Sequence, residues 1–256
     1  MFADRRRREH PRTHDGNTLG CIDDNNILVS QHFFALKLNK QDLIEVLKAV
    51  QNASVVTDPN NLQIASNGGP ADVQALINSL GTRSTSTDVV QSTLSTGVKL
   101  ISKPSKLNVS PWQMVSSVLG GPSLRTATWW TNPKIPTTIS STRVKCWDDS
   151  LEKPGAVQIA ITGNWNDQEI GLTGGAGPNF THAKIGVSIS GNHNYAIFGD
   201  MNQQGSLSTN CKSSQDGRGG LFYVLENKRL SDSVSALIDG KTASTKLPPK
   251  KPKAKR

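Results

Sequence analysis

The sequence predicts an α/β fold of the mixed α+β kind, and three observations carry that expectation. Apolar residues recur at helical spacing in some windows and cluster in short β-rich runs in others, the two kinds interleaved along the chain. Proline, glycine and serine punctuate the gaps between these windows. With 256 residues, 35% of them hydrophobic, the chain is long enough to bury a sizeable core.

Taken in order, residues 1–20 are expected to form a disordered basic leader. They hold the run Arg5 to Arg8, show no apolar periodicity, and offer no hydrophobic stretch that would make a signal peptide. The next 220 residues, 21–240, are expected to be one organised region. It opens with a strand-like apolar run from Asn26 to Ala35 and a helix from Lys40 to Ala53, in which Leu43, Ile44, Leu47 and Val50 share a face. Pro70 and Gly81 bracket a short helix, Ala71 to Leu80. The Ser- and Thr-rich stretch from Thr82 to Val98 reads as loop or edge strand. Ser110, as a cap, and Pro111, in the first turn, start a helix that runs to Leu119 and stops at Gly120 and Gly121.

Leu124 to Trp130 alternates as a strand would, until Pro133 and Pro136 break it. Val157 to Thr162, Lys184 to Ile189 and Tyr195 to Phe198 are further short β-rich runs, and Leu221 to Ile238 is expected to be the last amphipathic helix. Residues 241–256 are expected to be a disordered basic tail. No apolar run approaches the roughly 20 residues of a membrane span, so no membrane association is expected.

The formal charge of +9 is concentrated at the two ends. Between positions 9 and 245 acidic and basic residues are equal in number, so charge alone does not make the body a nucleic-acid surface. Basic ends can hold phosphate backbones by counterion release, or simply be solvated. The three cysteines, Cys21, Cys146 and Cys211, allow at most one disulfide within the chain and leave a thiol over. Their spacing matches no zinc pattern, and neither a metal nor another cofactor is expected. Asn52, Asn108 and Asn179 head Asn-x-Ser/Thr triplets, acceptors for glycan only in a secretory setting.

The chemistry-bearing segment runs from Asn179 to Gly220. Residues two apart on a strand share a face, so His182 and Lys184 are expected to project together with Ala183 turned inward. An imidazole beside an ammonium group suits phosphodiester chemistry without a metal: one attacks phosphorus or protonates the leaving oxygen, the other neutralises charge on the non-bridging oxygens. Asn202, just past the run from Tyr195, would add a neutral donor to the same phosphate. Trp112, Trp129 and Trp130 read as core aromatics rather than base-stacking platforms. His193 reads as a solvated turn residue, and Gly171 to Gly177 as a flexible loop leading to His182.

The order His182-x-Lys184, then Gly199-Asp200-Met201-Asn202-Gln203, then Arg218-Gly219-Gly220 resembles the second catalytic motif of the deoxyribonuclease II family. Asn26 to Ala53 and Ser110 to Trp130 also resemble that family, and the likeness spans most of residues 20–238. The resemblance implies a phospholipase D-like sandwich of two repeats, the second centred on residues 155–238 and the N-terminal one incomplete. It further implies metal-independent endonucleolytic cleavage of DNA at acidic pH, in a secreted or lysosomal setting. In that scheme His182 is one of two catalytic histidines, Lys184 binds the phosphate, and Asn202 donates to it.

The chain departs from the family at the other motif, since none of His10, His14, His32 and His193 has lysine two residues on. The first His-x-Lys is absent, and a monomer is expected to be nearly inactive. A homodimer setting two copies of His182 across one interface would complete the site, as would a longer N-terminus. The alternative is a catalytically inactive secreted homologue that binds DNA or protein, and a further one is an unrelated nucleic-acid-binding protein working through its basic ends.

Overall fold

The computed structural model describes residues 8–15, 18–22, 31–54, 69–80, 82–175, 177 and 179–246. Within the segment expected to be disordered, β1 (Arg8–Asp15) and β2 (Thr18–Ile22) pair with each other as an antiparallel ribbon. Backbone pairing of this kind needs no apolar pattern, which is why composition did not anticipate it.

The body is built on a seven-stranded sheet. Its order is β3 (Val90–Thr93), β4 (Lys99–Lys103), β11 (Gly220–Glu226), β10 (Tyr195–Gly199), β9 (Ile185–Ser188), β5 (Leu124–Ala127) and β6 (Val157–Ile159). Every neighbouring pair is antiparallel except β5 with β6. A separate hairpin is formed by β7 (Thr162–Trp165) and β8 (Gln168–Gly171). The expected mixed α+β class is what the chain adopts.

Helices cover both faces. On one, α3 (Pro111–Val118) presents Trp112, Met114 and Val115 to Ile101, Leu124, Ile159, Ile197 and Phe222. Trp112 lies over Gly186, where an added Cβ would meet its ring at 2.7 Å, and its indole N–H donates to the Met201 carbonyl at 3.0 Å. On the other face, α4 (Lys228–Leu237) packs Val234 with Ala127, Ile185, Val187 and Ala196, while α1 (Lys40–Asn52) packs Ala49 with Leu100. A helix α2 (Ala71–Ser79) adds Val73 against Leu47 of α1. Ile101 and Leu100 thus face opposite layers, as the strand period of two requires.

Capping explains where α1 begins. Asn39 Oδ1 accepts from the Asp42 amide at 2.8 Å, and the Asp42 carboxylate accepts back from the Asn39 amide at 3.3 Å, a capping box. The Ser95 hydroxyl and amide also donate to Asp42 and hold its carboxyl below the usual range.

Four expectations are corrected. Leu221 to Glu226 is strand, and only Lys228–Leu237 is helix. The unbroken run Leu-Phe-Tyr-Val-Leu fits a strand with both faces covered, and Asn227, accepting from the Leu230 amide at 3.0 Å, marks the helix start. Ser110 makes no side-chain cap for α3, and β4 and the β7–β8 hairpin were not anticipated. The organised body also runs past 240, because Ala160 bridges Thr242, Ala243 is buried, and Arg125 donates to the Thr242 hydroxyl at 2.6 Å. The expected strand from Asn26 lies outside the described residues as far as Ser30, and 31–39 belongs to none of the assigned strands.

Cys146 and Cys211 form the one disulfide the cysteine count allows, joining segments 65 residues apart. At the end of β4, the fully buried Lys103 ammonium donates to the carbonyls of Leu107, Asp216 and Arg218 at 2.6, 2.8 and 2.8 Å. Burial pushes Lys103 down to about 7 and the Asp216 carboxyl up to about 7, each charge pulling the other back. Three carbonyl acceptors match the three protons of an ammonium, so the charged form is the one this geometry holds.

Replacing Lys103 with Met should cost on the order of 3–5 kcal/mol, because three carbonyls lose a buried charged donor; urea unfolding at neutral pH measures it. The Cys146→Ser variant should lose about 2–4 kcal/mol, and the wild type should fall to the same stability once reduced under those conditions.

Candidate active site at one end of the sheet

Strand directions bring the chemistry-bearing residues to one end of the sheet. Ala127, at the end of β5, pairs with Ile185 at the start of β9, and Phe198, near the end of β10, pairs with Ile185 from the other side. The segments just beyond these strands, 128–131, 181–184 and 199–204, therefore meet.

His182 and Lys184 come together as expected, although they precede β9 rather than belong to it. Lys184 Nζ lies 3.2 Å from His182 Nδ1 and donates to the His182 carbonyl at 2.6 Å. Ala183 between them is buried in the core, which fixes the alternation. The Lys184 carbonyl accepts from Gly199 N at 2.9 Å, pinning the motif to β10. An ammonium cannot accept, so Nδ1 is the acceptor, and a neutral His182 ring in this arrangement carries its proton on Nε2.

Asn202 reaches the same end of the sheet but is engaged differently. Its amide donates to Gln204 Oε1 at 3.1 Å, and Gln204 in turn donates to the Thr131 hydroxyl at 2.6 Å. The Asn202 Oδ1 is buried and has no hydrogen-bond partner among the described residues. This is a built polar corner, with one amide proton turned to Gln204 rather than to the His182–Lys184 pair.

Two neighbours escaped the sequence reading. Trp129, expected in the core, is only half-buried and sets its ring edge-on to His182 at 5.0 Å. The expectation holds for Trp112 and Trp130, whose indole donates to the Ile135 carbonyl at 2.7 Å. His32 is brought in from 152 residues upstream of Lys184, its Nδ1 accepting from the Lys184 backbone amide at 3.4 Å. Burial, then the Lys184 charge, lowers its pKa. The motif test of a lysine two residues on could not find it, because its neighbour is reached through the fold.

Asp200 adds a carboxylate beside Lys184. Desolvation of its carboxyl pushes it up to about 6, against the hydrogen bond from Leu221 N at 2.9 Å and the lysine charge. The residue as a whole is open to solvent, so screening limits what that shift is worth in stability. The motif glycines have packing reasons: a Cβ at Gly219 would strike the Ala53 carbonyl at the end of α1, and one at Gly220 the Met201 side chain. Those of the expected flexible loop do too, since Gly174 lies against Trp129 and Gly175 against Phe180.

Other candidates fall outside this corner. His193 sits in the β9–β10 turn as expected, stacked on Tyr195 at 4.9 Å with its Nδ1 2.6 Å from Glu226, which its hydrogen bond holds below the usual carboxylate range. A cavity of about 470 Å³ lies between Ser140 and Pro154, away from His182. Of the glycan acceptors, Asn52 is committed, its amide donating to Ser102 and Asp88 carbonyls, while Asn179 is exposed three residues before His182. Among the described residues no group of three or more His, Cys, Asp or Glu could hold a metal, and no helix is long and apolar enough to cross a membrane. Comparison of the chain with family models, curated proteins and solved structures finds no match.

Proposed function

We propose that the chain is a deoxyribonuclease II-like phosphodiesterase, acting on DNA through His182 and Lys184 without a metal, on one repeat of a phospholipase D-like fold. The observation that carries the reading is the 3.2 Å approach of the Lys184 ammonium to His182 Nδ1, a cation and an imidazole set side by side at the end of a sheet. Those two groups can serve phosphodiester hydrolysis, the imidazole as nucleophile or acid and the ammonium as the counter-charge to the non-bridging oxygens. Asn202 would turn its amide from Gln204 to a phosphate oxygen.

Bound phosphate accounts for how the resting arrangement becomes reactive. A diester anion competes with His182 for the Lys184 protons, and drawing Nζ to a non-bridging oxygen relieves Nδ1 of its donor. The ring proton can then move to Nδ1, leaving Nε2 with the lone pair that attack requires. Until then Lys184 and His182 Nε2 are donors, an anion cradle rather than a nucleophile.

That donor character favours a second reading, a homologue that binds phosphate diesters without cleaving them. The Cys146–Cys211 disulfide and the exposed Asn179 acceptor support a secreted or lysosomal setting for either reading. A homodimer would present two copies of His182, and remains part of the proposal.

In EDTA at about pH 5, plasmid nicking by the wild type should exceed that of His182→Ala and Lys184→Met by at least about a hundredfold. Background cleavage by all three would overturn the catalytic reading, and retained, Lys184-dependent binding of a short oligonucleotide would then decide for the second. Deleting residues 1–8 and 246–256 should weaken DNA affinity and its salt dependence while leaving His182-dependent turnover of bis(p-nitrophenyl) phosphate unchanged; loss of all DNA binding with no such turnover to begin with would instead favour binding through the basic ends.

A further inference from the structure

We infer that His32 is the second imidazole of this site, the group that hands a proton to the leaving oxygen; the inference rests on the phosphodiesterase reading above. The extended segment 31–39 alternates exposed and half-buried residues, and His32, Phe34, Leu36 and Leu38 form its inward row. Phe34 stacks on Phe198 at 5.1 Å and meets Tyr223 at 5.1 Å, while Leu36 and Leu38 pack against the cluster around Ala49. The row seats His32 at the sheet end, 5.7 Å from the Phe198 ring centre and in contact with the Lys184 amide. His32 thus rests on the main chain of the lysine whose ammonium meets His182, and an imidazole at that place is what the absent motif would otherwise supply.

The chemistry balances with these groups alone. The His182 Nε2 lone pair forms a bond to phosphorus, the bond from phosphorus to the 5′ oxygen breaks with its electron pair on that oxygen, and His32 protonates it. Water then attacks phosphorus and gives a proton to His32, and the nitrogen–phosphorus bond breaks with its electrons returning to His182. Product release leaves both rings as they began.

Electrostatics around His32 suit an acid. The Lys184 charge acts on it, the same ammonium lies beside His182 and acts on Asp200, and Tyr223 lies beyond Phe34. Burial, and then the Lys184 charge, make His32 a stronger acid than free imidazole, and an incoming phosphate anion offsets the lysine charge so that the proton is held until it is needed. Protonating Nδ1 gives up only a long 3.4 Å contact.

Leaving-group dependence tests the role, because p-nitrophenolate departs without an acid and a sugar alkoxide does not. With the full chain in EDTA between about pH 4.5 and 7, His32→Ala and the shape-conserving His32→Gln should lose at least about a hundredfold in kcat on DNA. KM should barely move, and the fall in rate at rising pH should disappear. Both variants should still release the first p-nitrophenolate of bis(p-nitrophenyl) phosphate in a burst within about threefold of the wild-type rate, because only the later attack of water calls on His32 as a base, whereas His182→Ala should lose that burst and DNA cleavage alike. Full activity of the His32 variants on DNA, or a p-nitrophenolate burst slowed as much as DNA cleavage, would overturn the inference and leave the phosphodiesterase reading standing. If wild type and His182→Ala do not differ on either substrate, that reading falls and the inference with it.

Discussion

An ammonium group buried at the end of β4 organises the part of the molecule on which the candidate site rests. Lys103 has no water to turn to, so its three protons must find acceptors within the protein, and they find the carbonyls of Leu107, Asp216 and Arg218. Those belong to segments far apart in sequence. Drawing them to one point closes the turn after β4, holds the one-turn 3-10 helix Ser214–Gly217, and brings the chain to the entrance of β11. Asp216 extends the arrangement, its carboxylate accepting from Ser206 N at 2.6 Å. Leaving such a charge without partners would cost several kcal/mol, so these loops have little freedom to adopt another course.

The same region needs close backbone approach as well as charge. Gly219 lets the end of α1 come against the β11 entrance, and Gly220 leaves room for Met201. Met201 is fully buried and its carbonyl accepts from Trp112, which lies over Gly186 on β9. A chain of contacts therefore runs from α1, through β11 and the 199–204 segment, to α3 and β9. The residues at the strand ends inherit their positions from it, which is why a sheet interior can set the separation of two polar groups at its rim.

Legibility in the sequence followed the range of the interactions. Local signals worked: periodicity found α1, start and stop residues found α2 and α3, and the strand period of two predicted that His182 and Lys184 would meet around a buried Ala183. It failed where two local signals are alike. Leu221 to Leu225 is apolar without a break, and only its central place in the sheet, with layers on both faces, makes it a strand. Lys99 to Lys103 hid β4 because a lysine rarely ends a strand in the core, and the carbonyls that permit it come from distant segments. His32 and Trp129 were missed as site residues for the same reason, each reaching His182 or Lys184 through sheet order rather than spacing. The family likeness named a site from motif order, but it carried no information about where His32 would fall.

The site's resting electrostatics bear on which chemistry it can do. Lys184 is a donor to His182, and as long as it is, the imidazole nitrogen facing it has no proton and the other has no lone pair. A site left in that state binds anions. Converting it to a nucleophile needs something to take the lysine away, and a phosphate oxygen is the group best able to do so, since a charge-assisted bond to an anion is stronger than one to a neutral ring nitrogen. On the phosphodiesterase reading proposed above, substrate binding and nucleophile release would be a single event. On that reading the arrangement would also keep the imidazole from being spent on other electrophiles while the site is empty. This coupling requires Lys184 to retain its backbone anchor as its side chain moves, and the hydrogen bond from Gly199 to its carbonyl, with the His32 ring against its amide, holds the main chain on both sides.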